Sequence, residues 1–206
     1  MRLRMFICVA ALVLVASVAS ANLILNGSFE DGLYTGTNGF MTVSAGATSI
    51  SNWVVVSESV DWIDTYWTAS AGVRSIDLSG DRPGMIQQTF GTTAGQKYRV
   101  QFDLAGNPDT DSAKVAVSYA PGHEETWTFD TTGHSHGNMG WETKWFSFTA
   151  NDTGSATLSF ASGAENGAYG PALDNISVSA VPEPGTVIAA LGLLAPAGLM
   201  FRRKRA

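Results

Sequence analysis

A single cysteine, Cys8, occurs in the 206 residues, and it lies in an apolar leader that the chain is expected to lose. The mature protein then has no thiol, which excludes disulfide staples and thiol catalysis. Charge is scarce as well: 15% of residues are charged, against about 25% in an ordinary globular chain. Bases are scarcest. There are 12 against 18 acids, and six of the 12 sit at the ends, at Arg2, Arg4, Arg202, Arg203, Lys204 and Arg205. Residues 22–181 keep 6 bases against 17 acids, a formal net charge of −11. So acidic a body lacks the basic footprint that phosphate requires, which argues against nucleic acid as a partner. No G-x-G-x-x-G follows a strand pattern. Gly133-His134-Ser135-His136-Gly137 spells G-x-S-x-G, but it lies in a glycine-rich turn cluster with no helix pattern after it, whereas a nucleophile elbow sits between a strand and a helix. H-E-x-x-H is also missing, since His123-Glu124-Glu125-Thr126 continues to Trp127. The chain is too short for an α/β barrel.

Both ends read as address labels. Arg2 and Arg4 precede an apolar run from Met5 to Val18, and Ala19-Ser20-Ala21 supplies a small-residue cleavage site. Residues 1–21 are therefore expected to be a secretory signal peptide, with cleavage after Ala21. At the other end, Val181-Pro182-Glu183-Pro184-Gly185 excludes helix. Thr186 to Phe201 follows as 16 uncharged, mostly apolar residues, and Arg202-Arg203-Lys204-Arg205 closes the chain. That order suits a thin transmembrane helix held with its basic end in the cytoplasm. Pro182-Glu183-Pro184, the apolar helix and the basic tail together resemble the PEP-CTERM sorting signal of exported proteins in Gram-negative bacteria that make extracellular polysaccharide. Pro196 is the one departure from that pattern. The resemblance implies a membrane-anchored precursor over 181–206, an exosortase as processing partner, and a product at the cell surface or in the extracellular matrix.

Residues 22–180 carry the folded body, and their period is two. Lys97 to Leu104, Ala113 to Tyr119, Thr126 to Asp130, Trp145 to Thr149 and Thr157 to Phe160 alternate polar with apolar. In the second of these, Val115, Val117 and Tyr119 share a face. The last segment alternates only partly, with Leu173, Asn175 and Ser177 against Asp174, Ile176 and Val178. Turn-forming clusters separate the runs at 91–95, 106–111, 133–138 and 163–171. Short strands with regular turn signals predict an all-β sandwich or barrel with one core.

A second resemblance rests on the opening Asn26-Gly27-Ser28-Phe29-Glu30-Asp31-Gly32, on Trp53, on Asp61-Trp62 and on Ser75-Ile76-Asp77-Leu78. Gln88 to Phe90, Phe102 to Asn107, Asn138 to Trp141 and the closing Gly170 to Ile176 complete it. This order resembles the choice-of-anchor C family, related to a domain of unknown function also found in plant cell-wall proteins. More broadly it is similar to galactose-binding-like jelly rolls, the fold of many carbohydrate-binding modules. The resemblance implies a jelly-roll β-sandwich. It also implies a structural calcium between the first and last strands, with Glu30 and Asp174 as ligands and Asp77 as a weaker third candidate. The other reading is that Glu30 and Asp174 only hydrogen-bond turn amides.

All six tryptophans lie in this body. On one face of a strand, Trp62, Asp64 and Tyr66 would offer flat rings for stacking a sugar and a carboxylate for its hydroxyls; otherwise the rings fill the core. His134-Ser135-His136 with Glu124 or Glu125 could hold zinc, but a glycine-rich loop around them favours solvated histidines. Among 17 acids no particular pair stands out as a glycosidase dyad, and no catalytic residue is assigned. The expected function is therefore non-catalytic carbohydrate binding to extracellular polysaccharide. A structural or adhesive protein that binds other proteins is the alternative, and a polysaccharide-processing enzyme ranks last.

Overall fold

The pleat sends successive side chains to opposite faces, so each run of alternating residues can bury one face and wet the other. The computed structural model describes residues 21–182. The expected signal peptide (residues 1–21) lies outside the described residues up to residue 20, and the expected sorting segment (181–206) lies outside them from Glu183 onward. The strands are β1 (Phe40–Ser44), β2 (Val54–Ser57), β3 (Ser59–Ile63), β4 (Ser75–Asp77), β5 (Met85–Thr92) and β6 (Lys97–Gly106). They continue with β7 (Ala113–Ala120), β8 (His123–Asp130), β9 (Glu142–Thr149), β10 (Gly154–Ser162) and β11 (Pro171–Ala180). One 3₁₀ turn, Ala164–Asn166, is the only helical element among the described residues. Six strands form one sheet in the order β1-β3-β4-β11-β6-β9, and five form the other in the order β2-β5-β10-β7-β8. All pairings between these strands are antiparallel. This is the all-β sandwich that the period-two pattern predicts, and it agrees with the jelly roll that the resemblance implies.

The inner face of the six-stranded sheet carries Trp62, Ile76, Leu173 and Leu104, which lie in one cross-strand row. Phe102 reaches across to Phe160 of the second sheet at 4.9 Å between ring centroids. Trp127 meets the same ring edge-on at 5.4 Å. These rings decide which face of β7 turns inward. Lys114, Ala116 and Ser118 are buried there, while Val115, Val117 and Tyr119 are only half buried on the other side. Val115, Val117 and Tyr119, which share a face, thus lie on the outer side of β7. Small residues are needed opposite large rings, and Ser118 Oγ accepts the Trp127 indole N–H at 2.9 Å.

The imperfect alternation of the last strand also has a physical cause. The β11–β6 register shifts between Asp174 and Ser177, and Asn175 sits at φ +51°. A bulge adds one residue to one strand and restores the facing beyond it. Leu173 therefore points inward before the shift and Ile176 and Val178 after it, all buried.

The N-terminal segment closes the domain along this strand. Leu23 N–H donates to Val178 O at 2.8 Å and Ile176 N–H to Gly27 O at 2.9 Å. Asn22 Oδ1 accepts from Val178 N–H at 2.9 Å, and Leu25 N–H donates to Gln88 Oε1 on the second sheet at 2.8 Å. The approach at Gly27 is so close that a Cβ there would lie 2.0 Å from Ile176 O. Gly27→Ala is expected to force these segments apart and to cost about 1–3 kcal/mol. Urea unfolding of the variant against the parent checks this; an unchanged midpoint would mean that the segment is not load-carrying.

Candidate functional site

The outer face of the six-stranded sheet is polar at its β1–β3–β4 end. Thr42, Asp61 and Asp77 form one cross-strand row there. Two acids directly opposite each other repel, so each needs its own partners. Asp61 accepts Thr42 Oγ1–H at 2.6 Å, and burial raises its carboxyl above the usual range. Asp77 is fully buried and accepts from Ser79 N–H at 2.8 Å, Asn107 Nδ2–H at 2.9 Å and Gly170 N–H at 3.0 Å. Burial pushes it up to about 8, against the pull of those three donors.

Loops cover much of this face and leave a cleft of about 290 Å³. Phe40, Tyr66 and Tyr169 supply aromatic surface in it, with Tyr169 44% exposed. Asp61, Asp77, Asp81 and Asp109 line it, and no Lys, Arg or His does. Tyr66 Oη–H donates to Asp109 Oδ2 at 2.7 Å, and His136 Nε2 lies 2.9 Å from Asp109 Oδ1. The bond to Asp109 pushes the Tyr66 hydroxyl up to about 12, so it remains a neutral donor at physiological pH. Such a cleft can hold a flat ring against aromatic carbon and take its hydroxyls on carboxylates and the Asn107 amide.

The expected trio divides. β3 ends at Ile63, so residues 64–67 do not continue the strand. Trp62 points into the core, is fully buried and donates its indole N–H to Phe29 O at 2.9 Å. It offers no stacking surface. Asp64 turns to Arg74, with Nε 3.4 Å from Oδ1. Only Tyr66 reaches the cleft. Its fellow lining residues fall in segments that the sequence marks only as turns: Asn107 and Asp109 in the 106–111 cluster, and Tyr169 in the 163–171 cluster. Turn composition was the signal that placed them on loops, but nothing in it indicated that two loops meet.

Glu30 and Asp174 do converge, on the loop at residues 70–74. Glu30 Oε1 accepts from Val73 N–H and Arg74 N–H, both at 2.9 Å. Asp174 Oδ2 accepts from Ala71 N–H at 2.8 Å, and Oδ1 accepts from Asn175 N–H at 2.6 Å. Asp77 lies elsewhere, in the cleft floor. Calcium needs several oxygen lone pairs aimed at one point, whereas these oxygens face N–H donors. Among the described residues no three His, Cys, Asp or Glu side chains group as a metal site. Glu30 Oε1 and both Asp174 oxygens accept from backbone N–H groups, so these carboxylates clamp turn amides. The histidines do not group either. His123 stacks on Phe146 at 4.0 Å, His134 packs near Phe129 at 5.1 Å, and His136 joins Asp109.

The fold and cleft define a class: a jelly-roll sandwich with an aromatic, acid-lined cleft on the outer face of one sheet. The chain belongs to the family described as a protein of unknown function (DUF642), which matches residues 22–179. Halomucin of Haloquadratum walsbyi is 32% identical over 206 residues, covering 93% of this chain but 2% of halomucin. Among solved structures, the arabinose-bound α-L-arabinofuranosidase MgGH51 superposes with a TM-score of 0.54 at 11% identity, over 86% of this chain and 30% of the enzyme. TmCBM61, solved with β-1,4-galactotriose, gives a TM-score of 0.46 at 17% identity, over 79% of this chain and 100% of the module. The CBM35 of Paenibacillus barcinonensis gives 0.43 at 20% identity, over 68% and 99%. These likenesses concern the fold.

Asp174 is pushed up to about 7, burial again outweighing the amides of Ala71, Asn175 and Ser70. In the unfolded chain both Asp77 and Asp174 lose their protons near pH 4, while the folded state keeps them up to about 8 and about 7 respectively. Their contribution is therefore complete below about pH 4 and is lost as pH rises through these values. Thermal melting is expected to show a lower Tm at pH 8.5 than at pH 5, with about 2–4 °C per kcal/mol at this size. Asp174→Asn should flatten the slope, and chelator should leave each Tm where it was. A Tm that rises with pH, or falls on chelation, contradicts this account.

Proposed function

We propose that the domain is a non-catalytic carbohydrate-binding module that associates with extracellular polysaccharide through the cleft between β1–β3–β4 and the loops bearing Tyr66, Asp109 and Tyr169. The observation that carries this reading is the pairing of exposed aromatic surface with hydroxyl acceptors in one open cavity. Sugars offer apolar C–H faces and hydroxyl rims, and this cavity complements both. Four carboxylates and no base among the lining residues favour a neutral sugar over an anionic one. Affinity per site would be weak, and many copies on one surface would strengthen it. Isothermal titration of the secreted protein with neutral oligosaccharides should give saturable binding. Tyr66→Ala and Tyr169→Ala should each weaken it at least tenfold without lowering Tm by more than a few degrees. No saturable binding to any neutral glycan would remove this function.

The chain reaches that polysaccharide by export. The Arg2–Ala21 leader and the Pro182-Glu183-Pro184 segment with its apolar run and basic tail support signal-peptide cleavage, transient membrane anchoring and exosortase processing in a Gram-negative bacterium. Intact-mass measurement of the mature protein from the native host should give a chain that begins at Asn22 and ends near Pro182–Pro184. A mature species retaining Arg202 to Arg205 is the result that would exclude processing.

A further inference from the structure

Five of the six tryptophans have their indole N–H satisfied by the protein. Trp53 donates to Asn26 O, Trp62 to Phe29 O, Trp67 to Ser75 Oγ, Trp127 to Ser118 Oγ and Trp141 to Thr68 O. Trp145 is different: it is 56% exposed. Its direction is fixed by the pleat. Phe146 and Phe148 alternate with it on β9 and are buried, and Phe148 stacks on Tyr98 at 5.5 Å. Trp145 therefore stands on the outer face of an edge strand, at the end of the sheet opposite the cleft.

Its surroundings invert the charge of the cleft. The Arg99 guanidinium lies 4.6 Å over the indole ring. Gln101 is the cross-strand partner of Trp145, Ser147 that of Arg99, and Thr149 that of Lys97. On the next strand Ser177 and Ser179 extend the same rows. A groove of about 400 Å³ adjoins the patch, lined by Lys97, Ser147 and Thr149 together with His123 and Asn151. Two of the six bases between residues 22 and 181 thus share a face with one exposed tryptophan, Arg99 against it and Lys97 farther along β6, and no carboxylate lies in these rows or lines this groove. The first acid along β6, Asp103, is engaged by Ser70, Thr143 and Asn175.

We propose that this face is a second glycan site, one that takes a carboxylated sugar, a hexuronate unit of an acidic polysaccharide. A guanidinium stacked on an indole keeps its edge N–H groups free, and their planar fork matches a carboxylate bidentately. The exposed indole receives the sugar ring, Arg99 takes its carboxylate, and Lys97 with the adjoining groove receives the next residue of the chain. This site does not depend on the cleft: it uses a different set of residues, and its ligand has the charge that the cleft disfavours.

The test is titration of the secreted protein, followed by tryptophan fluorescence and calorimetry, with three probes: tetragalacturonate, its fully methyl-esterified form and a neutral galactose tetramer. Saturable binding of tetragalacturonate is expected, at least tenfold tighter than its methyl ester and weakening as salt rises. Trp145→Ala should lose at least tenfold in affinity for tetragalacturonate. Arg99→Gln should erase the preference over the ester, and Arg99→Lys should retain part of it. Tyr66→Ala/Tyr169→Ala, which disables only the cleft, should leave tetragalacturonate binding intact. Equal affinity for acid and ester, or parental affinity in Trp145→Ala, overturns the proposal. So does a concentration-dependent change in sedimentation that Trp145→Ala abolishes, since a second copy of the chain would then cover this face. Loss of galactose-tetramer binding alone bears on the cleft and not on this site.

Discussion

Two carboxylates hold the loop at residues 70–74 against the sheet, and the geometry of the cleft follows from that clamp. Glu30 reaches it from the N-terminal segment and Asp174 from β11, so the two ends of the domain fasten the same turn. Ser70 adds a bond to Asp103 on β6 at 2.6 Å. With those points fixed, Trp67 lies flat enough for its indole N–H to meet Ser75 Oγ at 2.8 Å, and Tyr66 follows it outward. Gly39 O anchors the other side by accepting from Asp64 N–H at 2.8 Å and Tyr66 N–H at 3.2 Å. A body without cysteine thus positions this loop with carboxyl hydrogen bonds to backbone amides.

Burial makes that clamp costly and keeps it local. Asp174 and Asp77 are fully buried, and desolvation disfavours their anions even though N–H donors face them. Backbone amides relieve part of that cost by donating to Asp174 and Asp77. Of the other carboxylates at the cleft, Asp61 and Asp109 are bonded by side chains at its rim: Thr42, Tyr66 and His136. Those bonds can be exchanged for a ligand hydroxyl with little rearrangement of the backbone.

The sandwich was legible because its pattern is local. Lys97 to Leu104 alternates cleanly and becomes β6, and the lapse in alternation at Asn175 marks the bulge in β11. What local pattern cannot convey is which face of a strand meets the larger neighbours. On β7 that put Lys114, Ala116 and Ser118 inside in place of the two valines. The same limit governs the rings. Trp62 and Trp145 both sit in alternating or near-alternating runs, and only the strand order shows that one faces the second sheet and the other faces solvent. Asp61-Trp62 therefore drew attention to a core residue, while the ring that stands in solvent lay in a run whose sequence looked ordinary. The cleft was beyond reach for a related reason: Tyr66, Asp109 and Tyr169 come from three loops far apart in the chain.

Both candidate sites occupy the outer face of one six-stranded sheet. The β3 and β9 strands are four pairings apart, or about 19 Å at about 4.8 Å per strand. The loops between them, fastened by Asp103 and Asp174, stand over the middle of that face. A single sugar cannot touch both ends, but a polysaccharide of mixed composition can lie across them, with an uncharged unit in the acidic cleft and a uronate on Trp145 and Arg99. Each contact then raises the effective concentration of the other. The strongly acidic body works in favour of this arrangement. With a net charge of −11 over residues 22–181, a uronate held by Arg99 and Lys97 would meet like charge over much of the rest of the surface, which restricts where such a partner can land.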